Sequence, residues 1–183
     1  MSNETQNKSH ADLTAKGFCL TSAFWFMIAT FMGLLGATKL IAPDFLGGIG
    51  WLQFGRIRPI HVNLVLFGFV TPGLLSTVFY FVPRVLRTEL YSDTLGLFTV
   101  ALWNITLVGA FVTLASGMTQ AREYAELIWP LDILVIICFV LLSINMVMTV
   151  KNRKEPVLYV SVWYVCAAVI LTSVTYCLGN VIW

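Results

Sequence analysis

Apolar residues in this chain fall in long continuous runs, separated by short polar stretches rich in Pro, Gly, Arg and Glu. Five runs, over residues 18–41, 60–82, 94–117, 130–150 and 157–178, reach the length of about 20 residues that a helix needs to cross the hydrocarbon core of a bilayer. The runs do not alternate with a period of two, which argues against a membrane β-barrel. Residues 1–17 are mostly polar (Asn3, Glu4, Gln6, Ser9) and precede the first run. The pattern predicts an all-α, polytopic membrane protein with five transmembrane helices in one domain, 18–183, behind a polar tail, 1–17. The connections between runs are too short for a second domain.

Composition removes most other classes. Of 183 residues, 58% are hydrophobic and only 20 are charged, 11 Lys or Arg and 9 Asp or Glu. That 11% compares with about 25% in soluble domains, which excludes a water-soluble enzyme, a nucleic-acid binder and a disordered tail; the expected surroundings are a lipid bilayer. Placing the N-terminus inside puts seven basic residues on the inner side (Lys8, Lys16, Arg84, Arg87, Lys151, Arg153, Lys154) and four outside (Lys39, Arg56, Arg58, Arg122). The positive-inside rule therefore predicts N-terminus in and C-terminus out. The first run exceeds the apolar core of a signal peptide, about 7–15 residues, and no cleavage pattern precedes it, so it reads as a retained helix. Cys19, Cys138, Cys166 and Cys177 all lie in apolar runs without CxxC spacing, as small packing residues do. Gly33, Gly36 and Ala37 form a small-residue patch in the first span that suits close helix contact.

Ionisable groups within a membrane are costly, so they are the functional candidates. The chain has two histidines, His10 in the tail and His61 in the second span. Arg58 lies three residues before His61, so both project from one side of a helix, and Pro59 suits the first turn of that helix. An imidazole with a cation above it suits a haem, whose iron takes the imidazole and whose propionates take the arginine. The alternative is an interfacial histidine bonded to a neighbouring carbonyl, with Arg56 and Arg58 facing lipid phosphates. Before the fourth span stand Arg122, Glu123, Tyr124 and Glu126, followed by Trp129, Pro130 and Asp132. Glu123 and Glu126 either pair with the arginines, hold a hard cation such as calcium, or belong to a solvated loop with an aromatic belt. Asp132 is either a helix-start carboxylate or a member of the same polar group. His10 and His61 are separated by a bilayer about 30 Å thick and cannot bind one iron. A copper or zinc site needing three or four His or Cys ligands cannot be assembled from this chain alone.

The stretch from Phe54 through Gly55, Arg56, Arg58, Pro59, His61 and Asn63 to Gly68 and Phe69 resembles the second helix of the catalytic subunit of cbb-type cytochrome c oxidases, the C family of haem–copper oxidases. The loop from Arg122 to Glu126, with Trp129, Pro130 and Asp132, is similar to the loop before the fourth helix of the same family. The resemblance implies a partial subunit I fold in which His61 is an axial ligand of the low-spin haem b and Arg58, with Arg56 beside it, contacts a propionate. It implies a calcium ion held by Glu123, with Glu126 the less favoured ligand. Members of the family have about twelve helices, so the resemblance covers less than half of the subunit. It leaves the second ligand of haem b, the high-spin haem, the copper histidines and the cross-linked tyrosine to a partner membrane chain. The expected setting is a bacterial-type inner (cytoplasmic) membrane, in a respiratory electron-transport complex with c-type cytochrome subunits. The expectation is an electron-transfer subunit that is not catalytic alone, the N-terminal part of a split oxidase. The alternatives are a haem subunit of another redox complex, including one like nitric oxide reductase, and a structural relic without haem.

Overall fold

The computed structural model describes residues 12–120, 122 and 125–182. Five helices are long and apolar enough to cross a membrane: α1 (Leu13–Ile41), α2 (Phe54–Val85), α3 (Asp93–Ser116), α4 (Trp129–Lys151) and α5 (Val160–Ile182). Among the described residues the only β-type pairing is an isolated bridge between Arg122 and Ala125. The fold is therefore all-α.

Helix α1 starts at Leu13 and α2 at Phe54, each ahead of its apolar run. Pro59 consequently sits inside α2 rather than in its first turn. The carbonyl that loses its partner to the proline belongs to Gly55, which is exposed at the end of the helix. Ser92 caps α3 by accepting the Leu95 amide at 3.1 Å. Gly117 ends α3 in the left-handed conformation, with φ of 83°, which favours glycine.

Helix α2 lies along α1, α3 touches both, α4 packs on α3, and α5 packs on α4. Lipid offers apolar side chains the same surroundings as another helix, so close packing and buried hydrogen bonds hold such bundles. Phe18 of α1 stacks on Phe79 of α2 with ring centroids 5.8 Å apart. The amide of Asn104 in α3 accepts from Trp25 Nε1 at 3.0 Å and donates to Thr21 Oγ1 at 2.8 Å, joining α3 to α1. Ser76 Oγ donates to the Ala15 carbonyl at 2.8 Å. The other hydroxyls mostly bond their own helices, as Thr77, Thr106 and Ser143 do.

At the end of the bundle away from His61, Asn145 fastens the turn between α2 and α3. Its Oδ1 accepts the Ser92 amide at 3.2 Å and its Nδ2 donates to the Ser92 carbonyl at 2.9 Å. Asn145 is fully buried, so truncation leaves the Ser92 amide without a partner, while the Ser92 carbonyl keeps the Gly96 amide at 3.1 Å. Asn145→Ala should lower the stability of the inserted protein by about 1–2 kcal/mol, measurable by SDS-driven unfolding in mixed micelles.

Candidate haem-ligand site

The site is built where α1 and α2 cross near Gly33. His61 is half-buried, and its Nδ1 stands 2.8 Å from the Ala29 carbonyl oxygen of α1. A carbonyl only accepts, so Nδ1 carries the proton, and in the neutral ring Nε2 holds the lone pair. The ring occupies the space that a side chain on Gly33 would fill. A Cβ added there would lie 2.6 Å from Cε1, 2.8 Å from Nδ1 and 3.3 Å from Nε2 of His61. One turn higher, a Cβ added at Gly36 would meet Ile57 Cγ2 at an ordinary 3.4 Å. The small-residue patch thus divides its work: Gly36 packs helices, while Gly33 seats the imidazole.

The arginines separate. Arg58, three residues before His61, is about 60° from it around the helix, whereas Arg56 is about 140° away. Arg58 is exposed. Arg56 turns toward the end of α3, where its Nη1 donates to the Ala115 carbonyl at 2.8 Å. Its guanidinium lies against Gly117, where a Cβ would come within 3.1 Å of Nη2. A cation at a helix C-terminus satisfies the last carbonyls and complements the dipole. That contact is a structural cap, and it occupies one arm of the Arg56 fork.

Asn63 follows Arg56 by seven residues and so shares its face of α2. It is buried, and its Nδ2 donates to the Pro59 carbonyl at 2.9 Å and to Glu126 Oε2 at 3.1 Å. Glu126 is thereby brought against the helix that carries His61. Glu123, Tyr124 and His10 lie outside the described residues. Among the described residues no group of three or more His, Cys, Asp or Glu gathers to hold a metal. Asp132 is completely buried. Its Oδ1 accepts from Tyr176 Oη of α5 at 2.7 Å and its Oδ2 from Gln120 Nε2 at 2.7 Å. Asp132 therefore belongs to a buried polar group that joins the loop, α4 and α5.

A groove of about 860 Å³ runs between α2 and α5, lined by Leu66, Phe67, Thr71, Val169, Tyr176 and Asn180 among others. His61 is not in its lining.

The His61 seat, the arginine on its side and the tethered acidic loop occupy one end of a five-helix bundle. The family model described as Cytochrome C and Quinol oxidase polypeptide I matches residues 14–183. The chain belongs to that family. It is a multi-pass membrane protein of the haem–copper oxidase subunit I family. It is similar to the Cbb3-type cytochrome c oxidase subunit CcoN1 of Stutzerimonas stutzeri, 30% identical over 178 residues, which span 97% of this chain and 38% of the relative. Cytochrome c oxidase subunit 1 of Rhodobacter capsulatus is 33% identical over 164 residues, 88% of this chain and 31% of the relative. A bacteroid subunit 1 homolog of Bradyrhizobium diazoefficiens is 33% identical over 157 residues, 86% of this chain and 28% of that relative. The chain thus spans less than two-fifths of the length of these curated relatives. The first of these relatives, named as cbb3-type, agrees with the cbb-type resemblance.

Three members of the site are not singled out by sequence reasoning as site residues. Ala29 contributes only a carbonyl and carries no side-chain signal. Gly33 reads as packing until the imidazole is seen beside it. Asn63 is the most legible of the three, being a buried amide two residues after the histidine.

Proposed function

We propose that this chain holds the low-spin haem b of a cbb-type oxidase, with His61 as one axial ligand through Nε2. When bound, such a haem supplies a one-electron carrier, its iron passing between the ferrous and ferric states. The observation that carries this reading is the seat of His61. Nδ1 is anchored on the Ala29 carbonyl and the ring lies over Gly33, the arrangement by which proteins orient a metal-ligating imidazole and set its tautomer. A carbonyl bond alone would also suit a structural histidine. Support for a ligand comes from the missing Cβ, the arginine on the same side of the helix and the family to which the chain belongs.

Each remaining residue has a part in this reading. Arg58 supplies positive charge to a propionate, and Arg56 holds α2 against the end of α3. Glu126 is tied to α2 through Asn63 and, together with Glu123, provides carboxylate oxygens for a calcium ion. The N-terminus is inside, so His61 lies toward the outer face, where c-type cytochromes of the complex deliver electrons. The second axial ligand, the high-spin haem and the copper site belong to the remaining helices of the subunit I fold. With two histidines in all, this chain does not reduce oxygen by itself.

The test is a reduced-minus-oxidised absorbance spectrum of the tagged protein, purified in mild detergent with whatever accompanies it. A sharp b-type α-band is the expected result. A folded preparation without that band overturns the reading. Arg58→Ala should retain the haem and lower its midpoint potential by on the order of tens of millivolts, because a nearby cation favours the reduced iron and exposure screens the effect. Potentiometric titration of the α-band checks this, and an unchanged midpoint removes Arg58 from the propionate.

A further inference from the structure

Helix α2 is not regular below His61. Residues Leu64–Val70 form a π-helix, and the Thr71 amide bonds the carbonyl of Leu66, five residues back. Its cause is in the sequence: Pro72 has no N–H, and its ring crowds the carbonyl four residues before it, so the chain widens rather than continuing as an α-helix. The widening opens backbone carbonyls within the membrane, where each must find a donor. Phe67 stands five residues before Pro72, and its carbonyl accepts from Trp103 Nε1 of α3 at 2.8 Å. The Phe69 carbonyl accepts from Ser22 Oγ of α1 at 2.8 Å. Trp103 and Ser22 are 2% and 6% exposed. Gly68 lets Trp25 against the same segment, where a Cβ would lie 2.8 Å from Trp25 Cβ.

The wide turn takes up about one extra residue, and each residue is about 100° of rotation around an α-helix. Whether the turn is wide or regular therefore decides which face of the segment above it meets α1. His61 stands three residues before Leu64. We infer that Ser22 and Trp103 are positioning residues for His61: Trp103 fills the Phe67 carbonyl, five residues before Pro72, and Ser22 ties the neighbouring Phe69 carbonyl to α1, so together they hold α2 in the rotation that aims the imidazole at Ala29 and Gly33. The inference rests on the haem-ligand reading for its functional meaning, but its geometry is tested without haem.

The experiment uses the full chain in membranes, with its four native cysteines replaced. The G33C/H61C pair reports the face of α2 above the turn, and an F18C/F79C pair reports α1–α2 packing below it. Thiol cross-linking should be efficient for both pairs. Adding S22A and W103F should reduce the upper cross-link several-fold and leave the lower one, whereas S22T, which keeps the hydroxyl, should leave both. If the lower cross-link also disappears, the bundle has come apart and the S22A single variant carries the test. An upper cross-link unaffected by losing the donors overturns the inference. In the chain with His61 intact, S22A/W103F should also lose most of its low-spin b signal. A wild-type chain without that signal but with a donor-dependent cross-link overturns the haem reading and leaves the positioning role standing. A normal b signal with a donor-independent cross-link does the reverse.

Discussion

Replacing His61 with alanine should abolish the low-spin b-type absorbance of the purified protein while leaving all five helices inserted. The imidazole is the one side-chain nitrogen ligand that this end of α2 offers to an iron, and no other histidine of the chain lies in an apolar run. Removing a half-buried histidine from an apolar helix leaves a space bounded by Ala29 and Gly33 and costs the fold little. Added imidazole should therefore restore part of the α-band to the variant, as free ligand enters the vacated seat. Absorbance spectra with and without imidazole, beside a protease-protection assay for insertion, read both halves of this result. A variant that keeps its full α-band would remove His61 from the iron.

Gly33→Ala should have an effect nearly as large without touching a ligand. The new methyl would stand 2.6 Å from His61 Cε1, closer than packed atoms approach, so the ring must turn or the helices must part. Parting is resisted on both sides of the site, because Ala29 and, facing Gly36, Ile57 are both fully buried. The ring therefore moves, and the Nδ1 bond to Ala29 is lost with it. Loss of an orienting partner of a metal ligand typically costs about 10–100-fold in affinity, which haem titration would measure. Gly36→Ala is the control: its added Cβ would meet Ile57 Cγ2 at 3.4 Å, and haem affinity should stay as it is. Equal behaviour of the two alanine variants would mean that the Gly33 seat has no bearing on binding.

Much of this architecture was legible in the residues. The five helices fall on the five apolar runs because bilayer crossing depends on a local sum of side-chain transfer energies, which any window of the chain reports. His61 and Arg58 fall on one side of α2 because helical spacing alone places residues three apart together. Other features were present in the sequence but not read from it. Pro72 within an apolar run is a signal for a broken or widened turn, and the π-helix over Leu64–Val70 is its consequence. The placement of Pro59 in a first turn failed because apolarity marks the buried part of a helix, not where its hydrogen bonding begins.

Residues whose partners are remote in sequence could not be read at all. Asp132 accepts from Tyr176, 44 residues later, and nothing near Tyr176 announces it. Arg56 and Arg58 look equivalent as neighbouring cations, yet one caps α3 at Ala115, 59 residues away, and the other stays on the histidine side.

The sequence by itself determined that the chain has five helices long and apolar enough to cross the membrane, where those runs lie, and that a histidine and an acidic loop are the candidates among its costly polar elements. Each of those follows from the chemistry of a residue and its near neighbours. Only the tertiary structure decided which carbonyl orients the imidazole, which glycine makes room for it and which donors hold the wide turn beneath it. Those contacts depend on the distance and rotation between helices, and packing sets both only after every helix has formed.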